Sequence, residues 1–447
     1  MYHIMLIVSL GLLMLALLVF RGELLSPCVF LFAYSLFAVA FGYFKYELWD
    51  LEGYEAFSVF LYLLGMVCFG IGTLFPDYTS KARRKNSRIT PVNADNVNRI
   101  EIKGYITGIC IVVSLFILVY FYVQMRSFIA SKGYGDRGLE FAIQYNRLFN
   151  EDDNYPQIIR LLIYFRQSCA FILFGVFLHN SIANKRKISD FILLIPTGLY
   201  FVDALIRSSR GDIIQFAIGA ITLWYVFYHN IKGWRIKSGV RFARKMLKVA
   251  LIAVPLFILS AVLTGRYTKI GDMDIVNYLT IYISGGVRAL DVFLKNAVPK
   301  PRIWGEESFV SLHNFFNALA GGGERAYRFL EFSSIRGTNI GNIYTSFRRF
   351  YHDFGVFGVA ILSFIQGTIS SWVYGRISRN TDNGISFWTV FYAFFSYTIV
   401  YIVIDELFFS SLISFVGLKR VIALVVAYKF VFFDRIRFRR VKICFNR

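Results

Sequence analysis

Residues Ile340–Gly358 read IGNIYTSFRRFYHDFGVFG, and this stretch decides how the chain is understood. It closes a long polar segment and runs straight into an apolar one. On a helix, Arg348 and His352 lie four apart, Arg349 and His352 three apart, and Arg349 and Asp353 four apart. Two cations, an imidazole and a carboxylate then share one face. Placed where chain meets lipid, such a group reads as a site for something anionic. The competing reading is an Arg–Asp ion pair with Phe, Tyr and His as interfacial anchors.

Apolar runs dominate both sides of this stretch. The chain has 447 residues, 56% of them hydrophobic and 18% aromatic, with a mean hydropathy of +0.54. Those values belong to polytopic membrane proteins rather than to several soluble cores. Runs long enough to span fall at about 2–20, 28–46, 56–75, 105–125, 158–180, 190–206, 212–230, 249–266, 355–376, 385–405 and 411–432. The expected fold is therefore an all-α polytopic membrane protein with about 11–12 transmembrane helices. The first run has no basic flank and no small-residue cleavage site, so it reads as a retained helix rather than a signal peptide.

The net charge is +21. It sits in short loops: seven Lys/Arg in 76–104, seven in 231–248, Lys185–Lys187, and six in the tail from Asp434. Alternating spans put all four on one side, which is then cytoplasmic. Anionic headgroups account for the charge, and no nucleic acid is needed. The other side receives one large segment, 267–354, with ten Lys/Arg and eight Asp/Glu. The domain reading is 1–266 as an N-terminal transmembrane bundle, 267–354 as a periplasmic loop subdomain with amphipathic or re-entrant helices, and 355–447 as C-terminal transmembrane helices with a basic cytoplasmic tail. Phe309, Leu312, Phe315 and Leu319 recur at helical spacing, which suggests a helix lying on the membrane or capping the bundle. Gly285-Gly286 reads as a point where a helix bends or re-enters.

Charges in expensive places mark the candidate ligands. Arg166 stands inside an apolar run, where a charge costs about 2.5–3.5 kcal/mol on insertion scales unless it is partnered. Arg207 and Arg210 lie at an external turn with Asp203 and Asp212; they are either a phosphate site or neutralised by those acids. Arg288 has Asp291 three residues on as its structural alternative. Asp272 and Asp274 form a DxD pair of the kind that holds a divalent metal, a spacing common by chance, and Glu306-Glu307 and Asp152-Asp153 are weaker metal candidates. No metal site is assigned. His352 suits a general base because neutral imidazole is available near pH 7. The cysteines fall in apolar runs or the basic tail, so no disulfide is expected.

Three stretches, IRSSRGDIIQFAIGAI at 206–221, YISGGVRAL at 282–290 and NIYTSFRRFYHDFGVFGVAILSFIQG at 342–367, together with many helices and one large late external loop, resemble the O-antigen polymerase (Wzy) family. The likeness covers the second half of the chain. It implies a GT-C-like helical fold in a bacterial inner membrane. It also implies polymerisation of undecaprenyl-pyrophosphate-linked oligosaccharide repeat units at the periplasmic face, without nucleotide, metal or other cofactor. A chain-length regulator protein is a candidate partner. Under that resemblance, His352 or Asp353 takes the acceptor proton. Arg166, Arg207, Arg210, Arg288, Arg348 and Arg349 are candidate diphosphate ligands, and Asn339, Asn342 and Tyr344 candidate sugar ligands. Preorganised guanidinium groups suit a leaving diphosphate on which charge develops. The rival readings are O-antigen ligase, a lipid-linked oligosaccharide flippase or other transporter, and a metal-dependent polytopic glycosyltransferase.

Overall fold

The computed structural model describes residues 1–79, 97–149, 156–234, 239–246, 255, 275–296, 301–322, 326, 330–335, 337–377 and 385–433. The helices are α1 (Tyr2–Val19), α2 (Pro27–Phe44), α3 (Ala56–Thr79), α4 (Gly104–Ser131), α5 (Leu139–Phe149), α6 (Gln157–Ile182), α7 (Ile195–Ile206), α8 (Arg210–Lys232), α9 (Ile275–Lys295), α10 (Val310–Leu319), α11 (Ser346–Tyr374), α12 (Phe387–Phe395) and α13 (Phe415–Val431). Among the described residues, eight helices are long and apolar enough to cross a membrane, and Phe387–Val403 is a shorter apolar one. Seven of the eight, all but α8, carry large exposed apolar side chains, such as Ile7, Met14 and Leu18 on α1 and Val112, Phe116 and Val119 on α4. Such side chains suit contact with lipid. The expected span at 249–266 lies outside the described residues, as do Asp272 and Asp274.

Two apolar cores organise the bundle. One joins α1, α2, α3, α9 and α11. The other joins α4, α6, α7, α8, α12 and α13. The tightest contact is between α3 and α11. A Cβ on Gly72 would stand 2.2 Å from the Phe364 carbonyl oxygen, and one on Gly367 would stand 2.2 Å from that of Phe69. Bare backbone on both helices lets them close, and the Thr368 hydroxyl donates across the seam to the Gly72 carbonyl at 3.1 Å.

Three features depart from the sequence reading. Gly285-Gly286 does not bend a helix: α9 runs unbroken for 21 residues inside the first core. Gly286 instead admits the Val403 carbonyl, which would lie 2.4 Å from a Cβ there. The 385–405 run is not a straight span. Its helix loosens after Phe395 into short turns, where the Ser396 and Thr398 hydroxyls donate back to the Ala393 and Phe395 carbonyls at 2.9 Å. The chain then turns at Asp405-Glu406 and passes through a short helical stretch, Phe408–Leu412, into α13. A hairpin of β1 (Ser333–Ile335) and β2 (Thr338–Gly341), turned at Gly337, had no reading in the sequence.

Candidate functional site

Helix α11 begins after Thr345 and carries Arg348, Arg349, His352 and Asp353 in its first two turns. All four are buried, at 1–6% exposure. They face protein because the loop before α10 and the turn at 405–410 fold against them. Gly355 interrupts the helix just beyond, at φ 66° and ψ −156°, so the polar turns and the apolar remainder are set independently.

Glu307 engages all four. Its carboxylate pairs with the Arg348 guanidinium and lies 3.4 Å from His352 Nδ1. Its N–H donates to the Asp353 carboxylate at 3.2 Å, and its carbonyl accepts from Arg349 Nη1 at 3.4 Å. Arg348 Nη2 also donates to Glu331, at 2.8 and 3.1 Å, with the Phe293 and Tyr344 rings 4.4 and 4.6 Å away. Arg349 grips Asp405 through Nε (3.1 Å) and Nη2 (2.8 Å). Glu406 accepts the N–H groups of Phe408, Phe409 and Ser410 at 2.6–2.7 Å, which fixes the turn that presents Asp405.

His352 Nδ1 is 3.2 Å from Asp353 Oδ1, and Nε2 is 3.8 Å from Glu306. Asp353 also accepts the Ser308 N–H at 2.6 Å. Those backbone bonds commit Asp353 to orienting the imidazole and bracing the loop, which leaves His352 as the better proton acceptor. Among the described residues, three arginines, Arg302, Arg348 and Arg349, stand among six carboxylates: Glu306, which Arg302 meets at 3.6 Å, Glu307, Glu331, Asp353, Asp405 and Glu406. A region so rich in acceptors suits hydroxyl groups. Burial pushes the Glu307 carboxyl above its ordinary range, against Arg348, His352 and Arg349, which pull it down. Burial likewise raises Glu406, against the N–H groups it accepts.

The other candidate arginines, read from the sequence as diphosphate ligands alongside Arg348 and Arg349, are held by partners of their own. Arg166 pairs with Asp203 at 2.7 Å, and Arg207 pairs with Asp203 and Asp212, both at 2.9 Å. Arg210 donates to the Tyr278 hydroxyl at 2.6 Å. Arg288 pairs with Glu52 (2.8 Å) and Asp291 (3.1 Å), and Lys295 closes the same network. Helix α9 measures the separation of Arg210 from Arg348. Tyr278, against Arg210, and Phe293, against Arg348, are fifteen residues apart. At 1.5 Å per residue that is about 22 Å, beyond the reach of a single diphosphate.

Of the sugar-ligand candidates, Tyr344 is at the site, buried beside Arg348 with its hydroxyl 3.3 Å from the Glu331 carbonyl. Asn339 lies on β2, where its side chain accepts the Gly341 N–H at 2.8 Å, and Asn342 follows that strand. Sequence reasoning assigned no role to Glu331, Asp405 or Glu406 and weighed Glu307 only as a weak metal ligand. Acids at 405–406 between two apolar runs were the available signal.

No protein-family model, curated protein or solved structure matches the chain.

Proposed function

We propose that this polytopic chain is a membrane glycosyltransferase that joins lipid-linked oligosaccharides, acting as a repeat-unit polymerase at the outer face of a bacterial inner membrane. The observation that carries the reading is the buried His352–Asp353 pair, with His352 Nε2 directed toward Glu306 in a carboxylate-lined region. An acceptor sugar hydroxyl there gives its proton to Nε2, while Asp353 holds the ring and stabilises the imidazolium. Glu306 and Glu331 accept further sugar hydroxyls.

The donor diphosphate leaves with growing negative charge, and Arg348 and Arg349, with Arg302 across Glu306, are the cations described around His352. Arg348 and Arg349 already have acid partners. Glu331 and Asp405 are the exposed ones, with side chains 59% and 29% accessible. An arriving diphosphate displaces those two and leaves the buried Glu307 contact in place. The sugar donor is a lipid diphosphate, so bond energy for transfer is carried in the substrate. Ligation to a different acceptor uses the same chemistry.

The test is His352→Ala in cells that make the polysaccharide. The protein remains in the membrane, and the glycan ladder collapses to a single-repeat band. A normal ladder removes His352 as the base.

A further inference from the structure

One face of α11 carries Phe357, Ile361 and Ile365, all exposed, and exposed Trp372 and Arg376 continue it. The spacings are four, four, seven and four residues, so the five stand on one side of a helix. Arg376 lies just past the last turn, where its N–H donates to the Val373 carbonyl at 3.0 Å. Nineteen residues separate Phe357 from Arg376, about 28 Å at 1.5 Å per residue. The hydrocarbon core of a bilayer is about 30 Å thick. A lipid-length apolar stripe therefore ends on a guanidinium.

That guanidinium is held by rings. Its Cζ lies 3.9 Å from the Trp372 ring centre and 4.9 Å from that of Trp388, in the first turn of α12. The two indoles meet edge to face at 5.7 Å. Stacking restrains the side chain without using its N–H groups. Among the described residues, neither an acid nor a hydrogen-bond acceptor meets it. Arg186 repeats the arrangement: its Cζ is 5.8 Å from Phe177 and 4.9 Å from Phe191, again with no acid partner among the described residues.

Both cations stand at one end of the bundle. Helices α3 and α11 run parallel, Phe57 meeting Tyr351 and Gly72 meeting Thr368, so Arg376 emerges where α3 leads into the basic segment 76–104. Ile100 of that segment donates its N–H to Asn180, near the end of α6 and six residues before Arg186, at 2.9 Å. The His352 site is at the other end of the α3–α11 pair, and there Arg302, Arg348 and Arg349 each face an acid.

We propose that Trp372, Arg376 and Trp388 form a headgroup site for an anionic bilayer phospholipid whose acyl chain lies along the Phe357–Ile365 stripe. The lipid phosphate accepts the unused N–H groups of Arg376. A soluble phosphate suits the cation but not the stripe, and a zwitterionic lipid brings an ammonium of its own. This lipid is a constituent of the membrane and not a substrate, so the proposal does not depend on glycosyl transfer.

Native mass spectrometry of the full chain, delipidated in a phosphate-free maltoside detergent, tests it. The probes are phosphatidylglycerol, phosphatidylcholine with the same acyl chains, and inorganic phosphate. The proteins are wild type, R376Q and K185Q, since Lys185 is an exposed cation at the same end. The first phosphatidylglycerol binds wild type and K185Q alike, and R376Q weakens it about tenfold. Phosphatidylcholine binds wild type about tenfold more weakly than phosphatidylglycerol. Undiminished binding by R376Q, an equal loss in K185Q, phosphatidylcholine binding as tightly as phosphatidylglycerol, or displacement of the lipid by inorganic phosphate each overturn the proposal. Should R376Q fail to fold, R376K decides, because it keeps the charge without the planar fork. Weakened phosphatidylglycerol binding by R376K supports the stacked site, and binding equal to wild type overturns it.

Discussion

His352 Nδ1 lies 3.2 Å from Oδ1 of Asp353, its neighbour in the chain. Adjacent helical residues diverge by about 100°, so such side chains seldom meet. Here the loop at 306–308 draws them together, because Asp353 answers its N–H groups and His352 lies against its acids. Asp353→Asn keeps an oxygen for the Ser308 N–H but removes the charge behind the imidazole. We expect chain extension to slow about 100-fold or more, with little change in the KM for acceptor. Undiminished turnover would show that Asp353 only braces the loop.

Glu307 gives a pH signature. Its carboxyl is raised by burial in the folded protein. Its stabilising contribution is therefore complete below the unfolded value, about 4.3, and fades as pH rises through the folded value. Gln at 307 does not titrate. The Tm of wild type minus that of Glu307→Gln should fall between pH 4 and pH 7. A gap that widens with pH means the Arg348 pairing outweighs burial.

Gly355 holds a backbone conformation that side chains rarely adopt, yet no atom lies within 4 Å of an added Cβ. Gly355→Ala therefore costs conformational strain alone, about 1–3 kcal/mol. The expected result is a lowered Tm together with weakened chain extension, since the break orients the first two turns of α11. An unchanged Tm would remove the requirement for glycine.

Arg166 and Asp203 are both fully buried and paired. Asp203→Asn leaves the Arg166 charge in apolar surroundings and should cost about 3–5 kcal/mol in unfolding measurements. Arg166→Met combined with Asp203→Leu should recover most of that loss. If the double variant is no better than the single one, the pair acts through something other than mutual neutralisation.

The long helices were legible because unbroken apolar runs leave few other options. Eight appear: six lie within two residues of the expected limits, while α4 continues to Ser131 and α11 starts at Ser346. The break after Phe395 was not legible: in FFSYTIVYIV only Ser396 and Thr398 interrupt large apolar and aromatic side chains, and the turns depend on their hydroxyls bonding back to the chain. The cations of the site could be found, since Arg348 and Arg349 interrupt an apolar pattern. Their partners could not, because Glu307 and Asp405 are 41 and 56 residues away in sequence. Arginine positions alone marked six candidate diphosphate ligands, and the acids separate them into different networks.

The glycine seam between α3 and α11 joins positions 72 and 367. At 5–20 residues per second, the ribosome needs about 15–60 s to supply the second after the first. Throughout that interval α3 sits in the bilayer with its groove unfilled, open to helices of other proteins. Insertion machinery that shelters early segments should therefore matter more for the yield of this chain than for proteins whose neighbouring helices pair in order.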